Sequence, residues 1–182
     1  MATDTSTAGT PLDHALQHAA LGFPLIPLHS IDSNGRCSCG CADATCGSRG
    51  KHPRIRDWQH SATVDPVLIR RWWSRWPDAN VGHVTATDEL HDVVLDVDTR
   101  HGGDATLAQL VTEHDALPAG PTTKTGSGGW HYYFEASPEQ LAALSKATGN
   151  RSGNSAGLLG PGLDIRAERG QVVLPPSRSR AG

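Results

Sequence analysis

Ten residues, His91-Asp92-Val93-Val94-Leu95-Asp96-Val97-Asp98-Thr99-Arg100, narrow the choice of fold more than any other stretch of the chain. Val93, Val94, Leu95 and Val97 are the β-branched and apolar residues of a buried strand. Side chains alternate along a strand, so Asp96 and Asp98 point to the same face. Two carboxylates so placed repel each other unless a cation lies between them. Hard divalent cations take such oxygen ligands, and two-metal phosphoryl transfer uses them. The same pair also suits a capped strand end, with Asp98 opening a turn at Gly102-Gly103.

A chain of 182 residues can bury one real core. Apolar residues make up 37%, and 20 glycines and 12 prolines favour a loop-rich α+β domain over a helical bundle. The net charge of -3 means that any nucleic-acid contact is a local patch rather than a property of the whole surface. No apolar run approaches the ~18 residues of a membrane span. Residues 1–10 are small and polar without Lys or Arg, which predicts a disordered tail rather than a secretory signal. A cytoplasmic setting follows, with thiols reduced or metal-bound.

All four cysteines fall in one short run, Cys37-Ser38-Cys39-Gly40-Cys41-Ala42-Asp43-Ala44-Thr45-Cys46, with Lys51-His52-Pro53-Arg54 close behind. Cysteines this close strain disulfide geometry. Tetrahedral zinc takes Cys and His from such loops and orders segments that lack a core. Cys37, Cys39, Cys41, Cys46 and His52 compete for four places. Four protein ligands leave no open position, so the site is expected to be structural.

Elsewhere, Asp13 is expected to cap a helix from His14 to Ala20. Phe23 to Leu28, with two prolines, suits an edge strand. Asp65 or Thr63 caps a helix that carries Arg70, Arg71 and Arg75 among Trp72, Trp73 and Trp76. Those tryptophans suit base stacking beside the arginines, or, the preferred reading, Ile69, Trp73 and Trp76 form a core stripe at helical spacing. Asn80 to Ala86 reads as a strand in a hairpin with the Asp96 strand, and Gly103 to Ala116 as a helix. Thr122 to Thr125 and Trp130 to Phe134 form a hairpin around Gly126-Ser127-Gly128-Gly129. Its glycines suit either a phosphate cradle flanked by Lys124 and His131 or simple turn geometry. Ser137-Pro138 starts a helix, and Asn150 to Gly162 reads as a mobile loop. Leu163-Asp164-Ile165-Arg166 and Gln171 to Leu174 read as a second hairpin, with Asp164 and Arg166 on one face.

Six stretches in order resemble one family. They are Gly50-Lys51-His52-Pro53, Asn80-Val81-Gly82, Val94-Leu95-Asp96-Val97-Asp98, Thr125-Gly126-Ser127-Gly128-Gly129-Trp130-His131, Gly162-Leu163-Asp164-Ile165-Arg166 and Val172-Val173-Leu174-Pro175-Pro176-Ser177. The chain from about Leu12 onward resembles the N-terminal prim-pol domain of bifunctional DNA primase/polymerases, in the archaeo-eukaryotic primase superfamily. The resemblance implies an RRM-like antiparallel catalytic sheet, a second small α/β subdomain and a zinc-binding loop within residues 37–52. It implies Mg2+ or Mn2+ on Asp96, Asp98 and Asp164, with His131 at the triphosphate. Ser127, Gly128 and Gly129 would help bind nucleotide, as would Lys124 and Arg166. It also implies Zn2+ on Cys37, Cys39, Cys46 and His52, with Cys41 as the alternative ligand.

The implied activity is template-directed nucleotidyl transfer from NTP or dNTP on single-stranded DNA. Relatives continue into helical and helicase regions, so residues 11–182 are expected to be one domain of a longer replication protein. A non-catalytic, zinc-organised nucleic-acid-binding module is the alternative, and it would need the zinc loop but not the aspartates.

Overall fold

The computed structural model describes residues 9–40 and 46–178. Most of the tail expected at residues 1–10, and Cys41, lie outside these residues. The elements in order are α1 (Pro11–Ala20), β1 (Leu25–Leu28), α2 (Trp58–Ser61), α3 (Pro66–Arg75), β2 (Asn80–Val84), β3 (Asp92–Val97), α4 (Gly103–His114), β4 (Thr122–Lys124), β5 (Trp130–Glu135), α5 (Pro138–Thr148), β6 (Ser155–Ala156), β7 (Leu163–Arg166) and β8 (Gln171–Leu174). They build a mixed α/β fold on two antiparallel sheets. One has the order β1-β2-β8, the other β4-β5-β3-β7-β6.

Local chemistry sets most of the helix ends. Thr10, not Asp13, caps α1: its hydroxyl accepts from the Asp13 backbone N–H, and the Asp13 carboxylate accepts from the Thr10 N–H. The two residues form a reciprocal capping pair. Asp65 caps α3 with Pro66 behind it. Ser137 caps α5, which stops at Gly149 in the left-handed region. Pro27 sits in β1, an edge strand as expected, and Pro24 just precedes it.

Two expected hairpins are absent. β2 and β3 lie in different sheets, and so do β7 and β8. The chain changes sheet twice, over residues 85–91 and 167–170. The two crossings are hydrogen-bonded to each other, Thr85 N–H to Gly170 O at 3.0 Å and Arg169 N–H to Thr85 O at 2.8 Å. Ala86, at φ +42°, turns the chain out of β2. Its N–H is taken by the buried Asp92 carboxylate at 2.8 Å, which also meets His83 Nε2 at 2.7 Å. Buried polar partners thus override the tendency of adjacent strands to pair.

Residues 150–162, expected to be a mobile loop, hold β6 on the edge of the five-stranded sheet. Asn154 replaces the missing apolar signal: its side-chain oxygen accepts from Ala167 N–H at 2.7 Å, and its amide donates to Glu168 O at 2.9 Å.

The five-stranded sheet has two differently covered faces. Leu95, Val97 and Leu163 pack with Leu107 and Leu110 of α4. On the other face, Val94 and Tyr133 join a core made by Ala15, Ile69, Trp73, Val81, Val172 and Leu174, from α1, α3 and the three-stranded sheet. Trp73 is buried and donates to Ala79 O, so the core-stripe reading holds for Ile69 and Trp73. The second core stops at the Val94 end of β3. Further along that face the strand carries Asp96.

Candidate active site

Register brings three expected residues into one row. Asp96 on β3 lies opposite His131 on β5 and, on its other side, opposite Asp164 on β7. Cross-strand partners share a face, so all three side chains project from the Val94 face of the sheet, beyond the end of the second core. His131 Nε2 lies 3.5 Å from Asp96 Oδ1. Arg166, one side-chain repeat along β7, bonds Asp164 Oδ2 at 2.8 Å and reaches within 3.8 Å of Asp96 Oδ2. The row therefore interleaves carboxylates and cationic or neutral donors. Burial pushes the Asp96 carboxyl up, but the His131 hydrogen bond and the charges of His131, Arg166 and Lys51 outweigh it and hold the group below the usual carboxylate range.

Asp98 follows β3 on the same side and caps a single 3-10 turn, Thr99–His101. Its carboxylate is taken up locally. Arg100 donates through its backbone N–H, Nε and Nη2, and His101 Nδ1 lies 2.9 Å from Oδ2. The Arg100 hydrogen bonds, with His101 adding to them, outweigh desolvation and hold its carboxyl far below the usual range. Its backbone is clasped too: Asp98 N–H donates to Gly162 O at 2.8 Å, and Gly103 N–H donates to Asp98 O at 3.0 Å. A Cβ on Gly103 or Gly162 would overlap the other glycine's backbone and crowd Asp98 O.

The glycine turn abuts this end of β3. A Cβ on Gly129 would overlap the Val97 carbonyl, and Gly128 has a positive φ of +89°. Ser127 Oγ is 3.1 Å from Thr125 Oγ1. Lys124 is not brought into the row. It pairs with Trp130, and Trp130 with Val97, which places it on the α4 side of the sheet. Thr123 occupies the corresponding position beside His131.

The cysteine loop forms a second cluster. The sulfur atoms of Cys37, Cys39 and Cys46 all lie within 4.8 Å of one another, a group able to hold a metal ion. None of the three is in a disulfide. Cys39 and Cys46 sulfurs are 3.9 Å apart, and His52 Nε2 is 3.0 Å from Cys46 Sγ. Zinc–sulfur bonds of about 2.3 Å in a tetrahedron put sulfurs about 3.8 Å apart. Among the described residues this is the one group of at least three such side chains drawn so closely together.

Residues 15–182 match the family described as bifunctional DNA primase/polymerase, N-terminal. The chain belongs to the prim-pol family. Among curated proteins none matches it. Membership makes it a relative of nucleotidyltransferase enzymes, and it gives the row and the loop a common context. No helix among the described residues is long and apolar enough to cross a membrane.

Two further residues hold the prim-pol site together without having been assigned a role from sequence. Asn80 Nδ2 bridges Gly50 O and Arg178 O at 2.9 and 2.8 Å, fastening the Gly50-Lys51-His52-Pro53 stretch to β2. Arg54 donates to Leu28 O, Ser30 Oγ and Ser38 Oγ and lies 3.6 Å from Asp78. The Asn-Val-Gly and Gly-Lys-His-Pro stretches marked these places in the sequence, but nothing local to either reveals the contact.

Proposed function

We propose that this chain is the catalytic domain of a DNA primase/polymerase that adds nucleotides to a primer 3′-hydroxyl by template-directed nucleotidyl transfer. The observation that carries the reading is the His131–Asp96–Asp164 register across β5, β3 and β7. The five-stranded sheet, with α4 on one face and the row on the other, is read as the RRM-like catalytic sheet. The α1/α3 and three-stranded layer is read as the second subdomain.

The residues fit divalent cations in kind and in access. Asp96, Asp98 and Asp164 offer hard oxygen ligands, and their side chains are 27%, 28% and 31% exposed. Convergence on an ion requires Asp98 to release Arg100 and His101. Mg2+ or Mn2+ held there would supply Lewis-acid activation of the hydroxyl and neutralise charge on the triphosphate. The protein's own part is positioning and charge. His131, fixed by burial, would contact the triphosphate beside Asp96. Arg166, once freed from Asp164, is positioned to pair with phosphate oxygens. The Gly126 to Gly129 turn abuts the same end of β3, with the Gly128 N–H held by Thr125 O. Zn2+ on Cys37, Cys39, Cys46 and His52 would be structural, fixing a segment that has little apolar surface of its own.

Primer extension on a single-stranded template with Mg2+ or Mn2+ tests the reading, comparing wild type with Asp96→Ala/Asp98→Ala. Incorporation by the wild type alone is expected. Equal incorporation by both overturns the catalytic assignment. DNA binding by both without incorporation by either favours the zinc-organised binding module instead.

A further inference from the structure

Residues 36–75 hold eight of the chain's 16 Lys and Arg residues but only three of its 19 Asp and Glu. This positive segment lies in a chain of net negative charge and spans the cysteine loop through α3. Its cations are not used alike. Arg54 is spent on the anchoring contacts described above, and Arg70 acts on Asp13 of α1. Lys51, Arg71 and Arg75 are exposed and, among the described residues, form no salt bridge. Elsewhere Arg100, Arg166 and Arg169 are each paired with an aspartate.

These three cations are connected through Arg54, the Trp76 ring and the end of α3. Lys51 lies within electrostatic reach of Asp96. Three residues beyond it, the Arg54 guanidinium lies over the Trp76 ring, 5.6 Å from the centroid, and Arg75 lies over the same ring at 4.9 Å. Trp76 packs against the core, so it ties the Lys51 segment to the end of α3. Arg71 stands one helical turn before Arg75, on the same stripe and about 6 Å away along the axis. Trp72 and Trp76 are packed against the core rather than left open. The three cations therefore offer charge without a stacking platform.

We propose that Lys51, Arg75 and Arg71 form a phosphate track that guides the single-stranded template into the carboxylate row. The proposal rests on the polymerase reading for the identity of the strand. A single-stranded template is the strand that the polymerase reading calls for, and the duplex arm of the test below checks that choice. With no open ring to stack on, the track reads charge and not base, so it is indifferent to sequence.

Fluorescence anisotropy of a labelled single-stranded oligonucleotide, without nucleotide and over a range of KCl, tests the track. Each lost phosphate contact should flatten the slope of log K against log salt by about 0.7. Arg71→Ala/Arg75→Ala should flatten it by about 1.4 and Lys51→Ala by about 0.7. Arg71→Lys/Arg75→Lys should restore the slope, which a purely structural role for the arginines would not do. Lys146→Ala/Arg151→Ala, on α5 and the turn after it, should match the wild type.

Slopes unchanged in the Arg71/Arg75 and Lys51 variants overturn the track, and so does a wild type that does not bind. A loss seen with duplex but not with single strands overturns the template assignment. Primer extension on the same preparations separates the two readings. Extension with unaltered slopes leaves the polymerase reading standing without the track. Flattened slopes without extension by wild type leave the track as a binding surface and remove the polymerase reading.

Discussion

Three donors of Arg100 converge on the carboxylate of Asp98, two positions before it in the chain. On the proposed mechanism, Asp98 exchanges these bonds for a divalent ion, so Arg100 competes with the metal. The pair is exposed, and exposed pairs are weak. Arg100→Ala should tighten Mn2+ binding in the absence of nucleotide by about two- to fivefold. Titration followed by the electron paramagnetic resonance of free Mn2+ measures this directly. Weaker binding in the variant would show that Arg100 orients Asp98 rather than competing for it.

Gly162 and Gly103 meet back to back beneath Asp98, and Gly162 has φ +72°. Gly162→Ala forces either its own backbone or that of Asp98 to move. Displacement of a catalytic group by about 1 Å can cost about a hundredfold in rate. Primer extension by Gly162→Ala should fall by about that factor. Gly149→Ala is the comparison: φ is +69°, but no atom lies within 4 Å of the added Cβ. It should lose only about 1–2 kcal/mol of stability and keep its extension rate.

The strands of this fold were legible because their side-chain alternation is local. Val93 to Val97 and Leu163 to Arg166 announced both their buried faces and their polar ones. The pairing of strands was not legible. The two sheet crossings depend on Thr85 meeting Arg169 and Gly170, and on His83 meeting Asp92. Such contacts leave no periodic trace. Lys124 shows the complementary error of proximity: it is close in sequence to the glycine turn, but strand alternation sends it to the α4 face. Lys51 is the reverse case, distant in sequence from Asp96 yet close enough in space to act on it.

His83 is fully buried with Nδ1 3.1 Å from Pro24 O and Nε2 2.7 Å from Asp92 Oδ2. Both ring nitrogens face oxygen atoms, and the buried Asp92 carboxylate has the ring and the Ala86 N–H as its partners. His83→Ala strands the Asp92 charge inside the protein. Breaking a buried pair in this way costs about 3–5 kcal/mol. Chemical denaturation at neutral pH should show that loss; a loss below about 1 kcal/mol would reduce the pair to an ordinary hydrogen bond.

Asp78 accepts from Ser30 Oγ at 2.6 Å and faces Arg54. The Ser30 hydrogen bond, opposed by desolvation and helped by Arg54, holds its carboxyl below the ordinary 3.8. A depressed folded value makes the stabilisation complete above the unfolded value and removes it as pH falls through the folded one. Asp78→Asn should therefore melt below the wild type at pH 7. The gap should narrow as pH drops below 3.8. A gap independent of pH would assign the effect to packing instead.

Cys39 and Cys46 have sulfurs 3.9 Å apart, a separation that suits two ligands of one tetrahedral ion. The purified chain should carry one zinc by elemental analysis. Cys46→Ser should abolish it, since that sulfur touches both Cys39 and His52. His52→Ala should retain less metal and release it faster to a chromogenic chelator, because it removes one of four ligands while leaving the three-sulfur group. The release rate then discriminates between ligand sets. Unchanged release would exclude His52 and leave Cys41 as the fourth ligand, which Cys41→Ser would test by the same assay. Metal loss should also loosen the Lys51 segment, because Asn80 and Arg54 hold its two ends while the ion closes the loop between. Faster hydrogen exchange over residues 46–52 after chelation is the expected sign.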